Sequence, residues 1–126
     1  MLSDANAYSG FAVDDIDRAK EFYGETLGLR VEAGEMEGLL TIRLAGDRAV
    51  LVYPKPGFEP ATYTILNFEV EDIDETVNEL SSRGATFERY DGFDQDEKGI
   101  ARGPQGPPIA WFKDPAGNIL AVLEQT

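Results

Sequence analysis

Two copies of one seven-residue motif, Phe11-Ala-Val-Asp-Asp-Ile-Asp17 and Phe68-Glu-Val-Glu-Asp-Ile-Asp74, occur in this chain of 126 residues. Five of the seven positions are identical, and a sixth exchanges Asp for Glu. Self-similarity between distant segments is typical of a structural unit that occurs more than once. The sequence therefore predicts two related modules.

Each copy closes a strand-like run and opens a helix-like one. Residues 7–13 and 63–70 are rich in aromatic and β-branched side chains, as strands are. Asp15 and Asp72 are well placed as helix N-caps, and Gly28 and Gly84 stand where the helices are expected to end. Apolar residues recur between these limits at helical spacing. They are Ile16, Ala19, Phe22, Tyr23 and Leu27 in the first copy, and Ile73, Val77 and Leu80 in the second.

Three short strands are predicted after each helix, which gives the order βαβββ twice. They cover about 29–33, 38–44 and 48–53 in the first copy, and 86–90, 109–113 and 118–123 in the second. Module one spans about 5–54, a Pro- and Gly-containing linker about 55–62, and module two about 63–126 of a single domain. An insert at 91–108, rich in Gly and Pro, is expected to be a loop over the side of the sheet that the helices do not cover.

Composition excludes several kinds of chemistry. The chain has no Cys and no His, so it lacks thiolates and the commonest metal ligand and general base. Its net charge of −13 repels nucleic acid and anionic lipid, and no apolar run has the length of a membrane span. The first residues do not resemble a signal peptide. We therefore expect a cytoplasmic protein with neither nucleic acid nor a membrane as its partner.

The sequences near the two ends of the chain resemble those of the vicinal-oxygen-chelate superfamily, which includes glyoxalase I, bleomycin-resistance proteins and dioxygenases. The opening segment at 11–29 is similar to the first strand, helix and glycine turn of that family, and 111–124 is similar to its closing hairpin around an Asp-Pro-Ala-Gly-Asn turn. The resemblance implies an α+β fold in which tandem βαβββ modules form a curled mixed sheet with an open cleft, helices on its outer face.

The resemblance also implies where a metal would bind. Metal enzymes of the family place His, Glu or Gln on the first and last strands of each module. The corresponding positions here are Tyr8, Val52, Ile65 and Ala121. Three offer no donor atom, and a neutral Tyr is a poor ligand. The sequence therefore predicts no metal site and no cofactor.

Strand alternation separates the expected core from the expected site. Six apolar residues are predicted to lie beneath the helices, namely Phe11, Val13, Leu66, Phe68, Leu120 and Val122. The residues predicted to line an apolar, aromatic cleft are Tyr8, Arg43, Val50, Val52, Tyr63, Ile65, Asn67, Trp111, Ile119 and Ala121. Tyr8, Tyr63 and Trp111 are its walls, and Asn67 and Arg43 its polar handles.

Three kinds of function remain open at this point. The first is a metal-free protein that binds a small, apolar or aromatic, antibiotic-like molecule. An apolar cleft with aromatic walls and a few polar groups is the usual form of such a binding site. The second is a glyoxalase-type lyase, isomerase or dioxygenase with a non-standard site using Glu69 or Tyr8; its catalytic residues are otherwise unknown. The third is an interaction module without a ligand. A homodimer is expected in each case, since family members of this size usually pair.

Overall fold

The computed structural model describes residues 1–104 and 106–125 and divides into two compact units, Met1–Glu59 and Pro60–Thr126. Gln105, which belongs to the predicted insert, and Thr126 lie outside the described residues. The regular elements of the described part are β1 Ser9–Val13, α1 Ile16–Glu21, β2 Arg30–Ala33, β3 Leu40–Leu44, β4 Arg48–Pro54, β5 Thr64–Val70, α2 Ile73–Ser82, β6 Ile109–Lys113 and β7 Ile119–Glu124. This order confirms the α+β class and the repeat of a strand, a helix and further strands.

The sheet of module one contains four strands in the order β1-β4-β3-β2. β1 runs parallel to β4, and the other two pairs are antiparallel. A parallel pair needs a crossover connection. The segment from α1 to β3 supplies it, so the first module is a complete βαβββ unit.

One face of this sheet forms the core of module one. Paired residues on neighbouring strands point to the same face, so the pairings of Phe11 with Val52 and of Ile42 with Val50 bring four apolar side chains together. All four are less than 9% exposed. Tyr23, which is completely buried, packs against Phe11 with 5.5 Å between ring centroids. The helical segment therefore covers this face.

The helix of module one begins and ends as its sequence predicts. The Asp15 carboxylate accepts hydrogen bonds from the amides of Asp17 and Arg18, at 3.0 and 3.2 Å. After α1 the chain continues in a π-helical turn over Phe22–Thr26, and Gly28 follows with a φ of 71°. Only glycine adopts that conformation without strain.

Module two repeats this plan with one strand fewer. Its sheet has the order β5-β7-β6, again with a parallel outer pair, and α2 packs over β7. Leu120 and Val122 are buried on the face they share with Leu66 and Phe68, as expected. Asp72 caps α2 by accepting from the Glu75 amide at 3.1 Å.

The predicted strand at 86–90 is wrong in extent. It is reduced to a bridge between Phe87 and Phe112 and a hydrogen bond from the Glu88 amide to the Trp111 carbonyl. Beyond that point the side chain of Gln95 replaces the neighbouring strand as hydrogen-bond partner, since it accepts from the Tyr90 amide and donates to the carbonyl of Glu88. Backbone groups that would continue a ladder are thus satisfied by the insert.

The turn between β6 and β7 is held from within. Asp114 and Asn118 are nearly buried, at 5% and 2% exposure. The Asp114 carboxylate accepts from the backbone amides of Ala116 and Asn118, and the Asn118 side-chain oxygen accepts from the Ala61 amide at 3.3 Å. Buried polar groups need such partners, so these two residues serve the fold. In the part of the chain that the structure describes, no helix is long and apolar enough to cross a membrane.

Candidate functional site

The helix-free face of the module-one sheet differs from the expected one. Val50 and Val52, predicted to line the cleft, are 5% and 0% exposed and share the helix-covered face with Phe11. That predicted orientation is wrong. The helix-free face carries Leu51, which is paired with Gly10 on one side and with Thr41 on the other.

The error has a physical cause. The strand reads Ala-Val-Leu-Val-Tyr over 49–53, so apolar side chains occupy both of its faces and alternation does not distinguish them. The internal repeat does distinguish them. Phe11 pairs with Val52 as Phe68 pairs with Val122, and Leu51 is thereby the counterpart of Ala121. Tyr53 likewise lies on the helix-free face.

Arg43 lies on the predicted, helix-free face of β3, opposite to Ile42. Its guanidinium donates to the Glu32 carboxylate at 2.8 Å, and Arg30 donates to the same carboxylate at 3.0 Å. The hydrogen bond from Arg43 is the main cause that holds the pKa of Glu32 below its usual range. Arg43 is therefore already paired within its own sheet.

In module two, a row of three residues crosses the helix-free face. Asn67 on β5 pairs with Ala121 on β7, and Ala121 pairs with Trp111 on β6. Ile119 lies on the same face and pairs with Lys113. The structure thus brings Asn67, Trp111, Ile119 and Ala121 together on one face, as the sequence predicts. Glu69, named for the enzymatic alternative, is exposed at the end of β5.

The remaining predicted residues lie at strand ends or irregularities. Tyr8 and Tyr63 precede β1 and β5 and are 65% and 70% exposed. The register of β5 shifts between Thr64 and Leu66, so Ile65 is the extra residue of a β-bulge and Thr64 takes the place beside Ile119. These three residues are not part of the row formed by Asn67, Ala121 and Trp111.

Two aromatic residues from the insert region extend this face, and alternation did not find them. The Phe93 ring lies 4.8 Å from the Trp111 ring, and the Tyr90 ring lies 5.5 Å away in an edge-on arrangement. Phe93 is 54% exposed, whereas Trp111 is half-buried. We call Tyr90, Phe93 and Trp111 the aromatic cluster. The insert has no period from which such a contact could be predicted.

The hydroxyl group of Tyr90 is buried without a hydrogen-bond partner among the described residues. Burial, with a smaller contribution from the charge of Glu88, raises the pKa of Tyr90. The residue is therefore a neutral donor and acceptor at physiological pH. Leaving such a group unpaired costs about 1–3 kcal/mol.

The residues present do not fit the metal site that the family resemblance implies. With β4 in its observed register, the four corresponding positions are held by Tyr8, Leu51, Ile65 and Ala121. Their donor set is one phenol. Across residues 1–104 and 106–125, no three His, Cys, Asp or Glu side chains come close enough together to hold a metal ion.

A groove of about 450 Å³ occurs elsewhere in module one, between the helical segment and β2. Its lining includes none of the predicted site residues. It consists of Asp17, Lys20, Glu21, Gly24, Glu25, Leu29 and Val31.

The fold and these faces define an α+β protein with two related modules, βαβββ in the first and βαββ with an additional bridge in the second. Each has a helix-covered core face and a second face, and the four expected ligand positions carry a single phenol. Residues 7–122 match the model of the Glyoxalase/Bleomycin resistance protein/Dioxygenase superfamily. The chain belongs to this superfamily. No curated protein sequence matches it significantly.

Solved structures agree with this assignment. A superfamily member from Sphaerobacter thermophilus is 25% identical with a TM-score of 0.72, and the match covers 96% of this chain and 98% of that one. TnmS3, an antibiotic binding protein from Streptomyces sp. CB03234, is 21% identical with a TM-score of 0.71 over 98% of both chains. The fosfomycin resistance protein FosX from Listeria monocytogenes is 13% identical with a TM-score of 0.73, over 98% of this chain and 94% of its own. At such identities the last two share the fold with this chain.

Proposed function

We propose that this protein binds a small, planar, largely apolar or aromatic molecule without a metal ion, on the helix-free face of module two. The observation that carries the proposal is the row of Asn67, Ala121 and Trp111, which joins a polar handle, a small side chain and an indole. Ala121, which is completely buried, is the residue of β7 directly opposite the indole. Small-molecule sites combine apolar and aromatic walls with few polar groups in this way.

The chemistry of the donor set supports the metal-free part of the proposal. Leu, Ile and Ala at three of the four family positions have no lone pairs to offer a cation, and the chain has no His to replace them. The similarity to TnmS3, which is an antibiotic binding protein, supports the same class of function.

A binding experiment tests the proposal. A set of planar aromatic compounds is screened by thermal shift, and the dissociation constant of each hit is measured by calorimetry. Replacing Trp111 with Ala removes the stacking surface and is expected to weaken binding about 10- to 100-fold, since each factor of ten corresponds to about 1.4 kcal/mol.

Met36→Ala is the matched control, because Met36 is a large apolar side chain, 68% exposed, and is outside the proposed face. It should bind as the parent does. A hit that Trp111→Ala binds with unchanged affinity would rule out this site. Elemental analysis of the gently purified protein is the second test, and one tightly held transition metal per chain would end the metal-free proposal.

We also propose that the protein is a homodimer, because β1, β2 and β5 are terminal strands of their sheets and such edges favour pairing. Light scattering at micromolar concentration should give twice the mass of 13.8 kDa. A monomer would contradict this expectation.

A further inference from the structure

The segment 88–102 forms a closed hydrogen-bonded unit, although it contains no strand or helix. The Asp96 carboxylate accepts from the amides of Lys98 and Ile100, each at 2.9 Å. Arg89 donates to the carbonyls of Asp96 and Glu97, and Gln95 donates to that of Gly99 at 2.7 Å. We call this unit the strap. Its hydrogen bonds hold it together as one ordered piece, and two backbone hydrogen bonds between Ala101 and Ile109 join it to β6.

One end of the strap is fixed to the first turn of α2 by charged side chains. The Arg102 guanidinium donates to both oxygens of the Asp74 carboxylate at 2.8 Å, and to Asp96 at 3.3 Å. Lys98 donates to Asp74 at 3.2 Å. A two-pronged contact between guanidinium and carboxylate is stronger and more directional than a single bond. We call these four residues the latch.

The latch is open to solvent. Its side chains are between 31% and 45% exposed. Hydrogen bonds from Arg102 and then Lys98 lower the pKa of Asp74, so its carboxylate is charged at any pH near neutrality. An ion-pair network of this exposure is partly screened by salt, whereas the apolar anchor of the strap, Ile100, is completely buried.

The other end of the strap lies on the aromatic cluster. Phe93 contacts one side of Trp111 and remains more than half exposed. A planar molecule that stacks on that side of the indole must displace the Phe93 ring. The latch is thus connected through one ordered segment to the residue that covers Trp111.

We propose that the strap is a lid over Trp111 and that the latch between Arg102 and Asp74 sets how often this lid opens. The consequence for a ligand rests on the proposed function: weakening the latch is expected to raise the association rate. The lid itself does not depend on that function and is testable in the unliganded protein.

The test uses the single tryptophan of the chain as its own probe. Asp74→Asn and Arg102→Gln each break the latch from one side. Acrylamide quenching of Trp111 fluorescence is expected to rise roughly twofold in both variants, because an unlatched segment opens more often. Hydrogen exchange of the Ile100 amide should quicken in parallel.

Glu75→Gln is the matched control. It removes one negative charge from the same helical turn, which the helix dipole also favours, and Glu75 is not a member of the latch. This variant should quench as the parent does. Equal quenching in the parent and both latch variants, with circular dichroism showing all of them folded, would overturn the lid. So would an increase in Glu75→Gln as large as theirs, since it would assign the effect to the helix. If a latch variant does not fold, the parent in 0.5 M salt must show the same increase in quenching, and its absence there also overturns the proposal.

Discussion

The two modules place related residues in equivalent rows but finish their sheets differently. Module one ends in β2, a strand of four residues, each paired with β3. Module two has only the bridge between Phe87 and Phe112 at the equivalent place. The row of Gly10, Leu51 and Thr41 in module one thus corresponds to Asn67, Ala121 and Trp111 in module two.

One ion pair shows how far the correspondence extends. Glu32 contacts Arg43 at the edge of module one, and Glu88 contacts Lys113, at 3.6 Å, in the equivalent positions of module two. The row and its terminal ion pair are therefore present in module two, although the strand equivalent to β2 is not. The difference lies in the insert, which replaces the ladder and adds Phe93 to the helix-free face. The modules share one backbone plan and differ in the surface it presents.

The largest expected effect comes from burying a charge in module one, which tests whether β4 has the same orientation as β7 in module two. If Val52 faces the helix and Leu51 does not, Val52→Asp buries an unpaired carboxylate and is expected to destabilise the protein by about 3–5 kcal/mol. Leu51→Asp, on a half-buried side chain, should cost less than about 2 kcal/mol. Urea unfolding followed by circular dichroism measures both. A reversed order would restore the predicted orientation of β4 and undo the equivalence of Leu51 with Ala121.

A second pair of variants compares the strand with the bridge that replaces it. Phe87 packs on the buried Phe112 with 5.4 Å between rings, whereas Val31 relies on the backbone ladder of β2. Phe87→Ala is expected to cost about 2–3 kcal/mol and Val31→Ala about 1 kcal/mol. The midpoints of urea unfolding report the difference. Equal losses would mean that the bridge depends no more on its side chain than the strand does.

These comparisons also show which features the sequence can supply. The repeat around Phe11 and Phe68 was sufficient for both N-caps and for the order of the elements except the strand expected at 86–90. The core faces of β1, β5 and β7 were also predicted, most clearly on β5, where polar and apolar residues separate. Alternation failed on β4, where every residue from 49 to 53 is apolar or aromatic. Around Trp111 the predicted residues Asn67, Ala121 and Trp111 form a row across the sheet, although only β5 among their strands alternates polar and apolar residues.

The aromatic cluster and the latch were beyond such reasoning. Phe93 contacts Trp111 from an insert that is folded by side-chain hydrogen bonds of Gln95 and Asp96, and no periodic pattern encodes those bonds. Arg102 and Asp74 are 28 residues apart, and their contact depends on that same fold. Long-range pairs between irregular segments have no signature in one sequence.

The smallest expected effect concerns the ion pair that both modules contain. Arg43 holds the pKa of Glu32 below its value in an unfolded chain, about 4.3. A depressed carboxyl pKa contributes stability that is present above the unfolded value and is lost as the pH falls through the folded one. Arg43→Gln should therefore raise the pKa of Glu32 and flatten the loss of stability in acid, with little change at pH 7, because the pair is solvent-exposed and Arg30 still contacts Glu32. Carboxyl ¹³C shifts of the Glu residues, recorded by NMR during acid titration, measure this pKa directly.

Lys113→Gln is the control, since it removes the equivalent cation from module two and should leave Glu32 unchanged. An unchanged Glu32 titration in Arg43→Gln would mean that Arg30 alone sets its pKa, and the two ion pairs would then be equivalent in position but not in electrostatic effect.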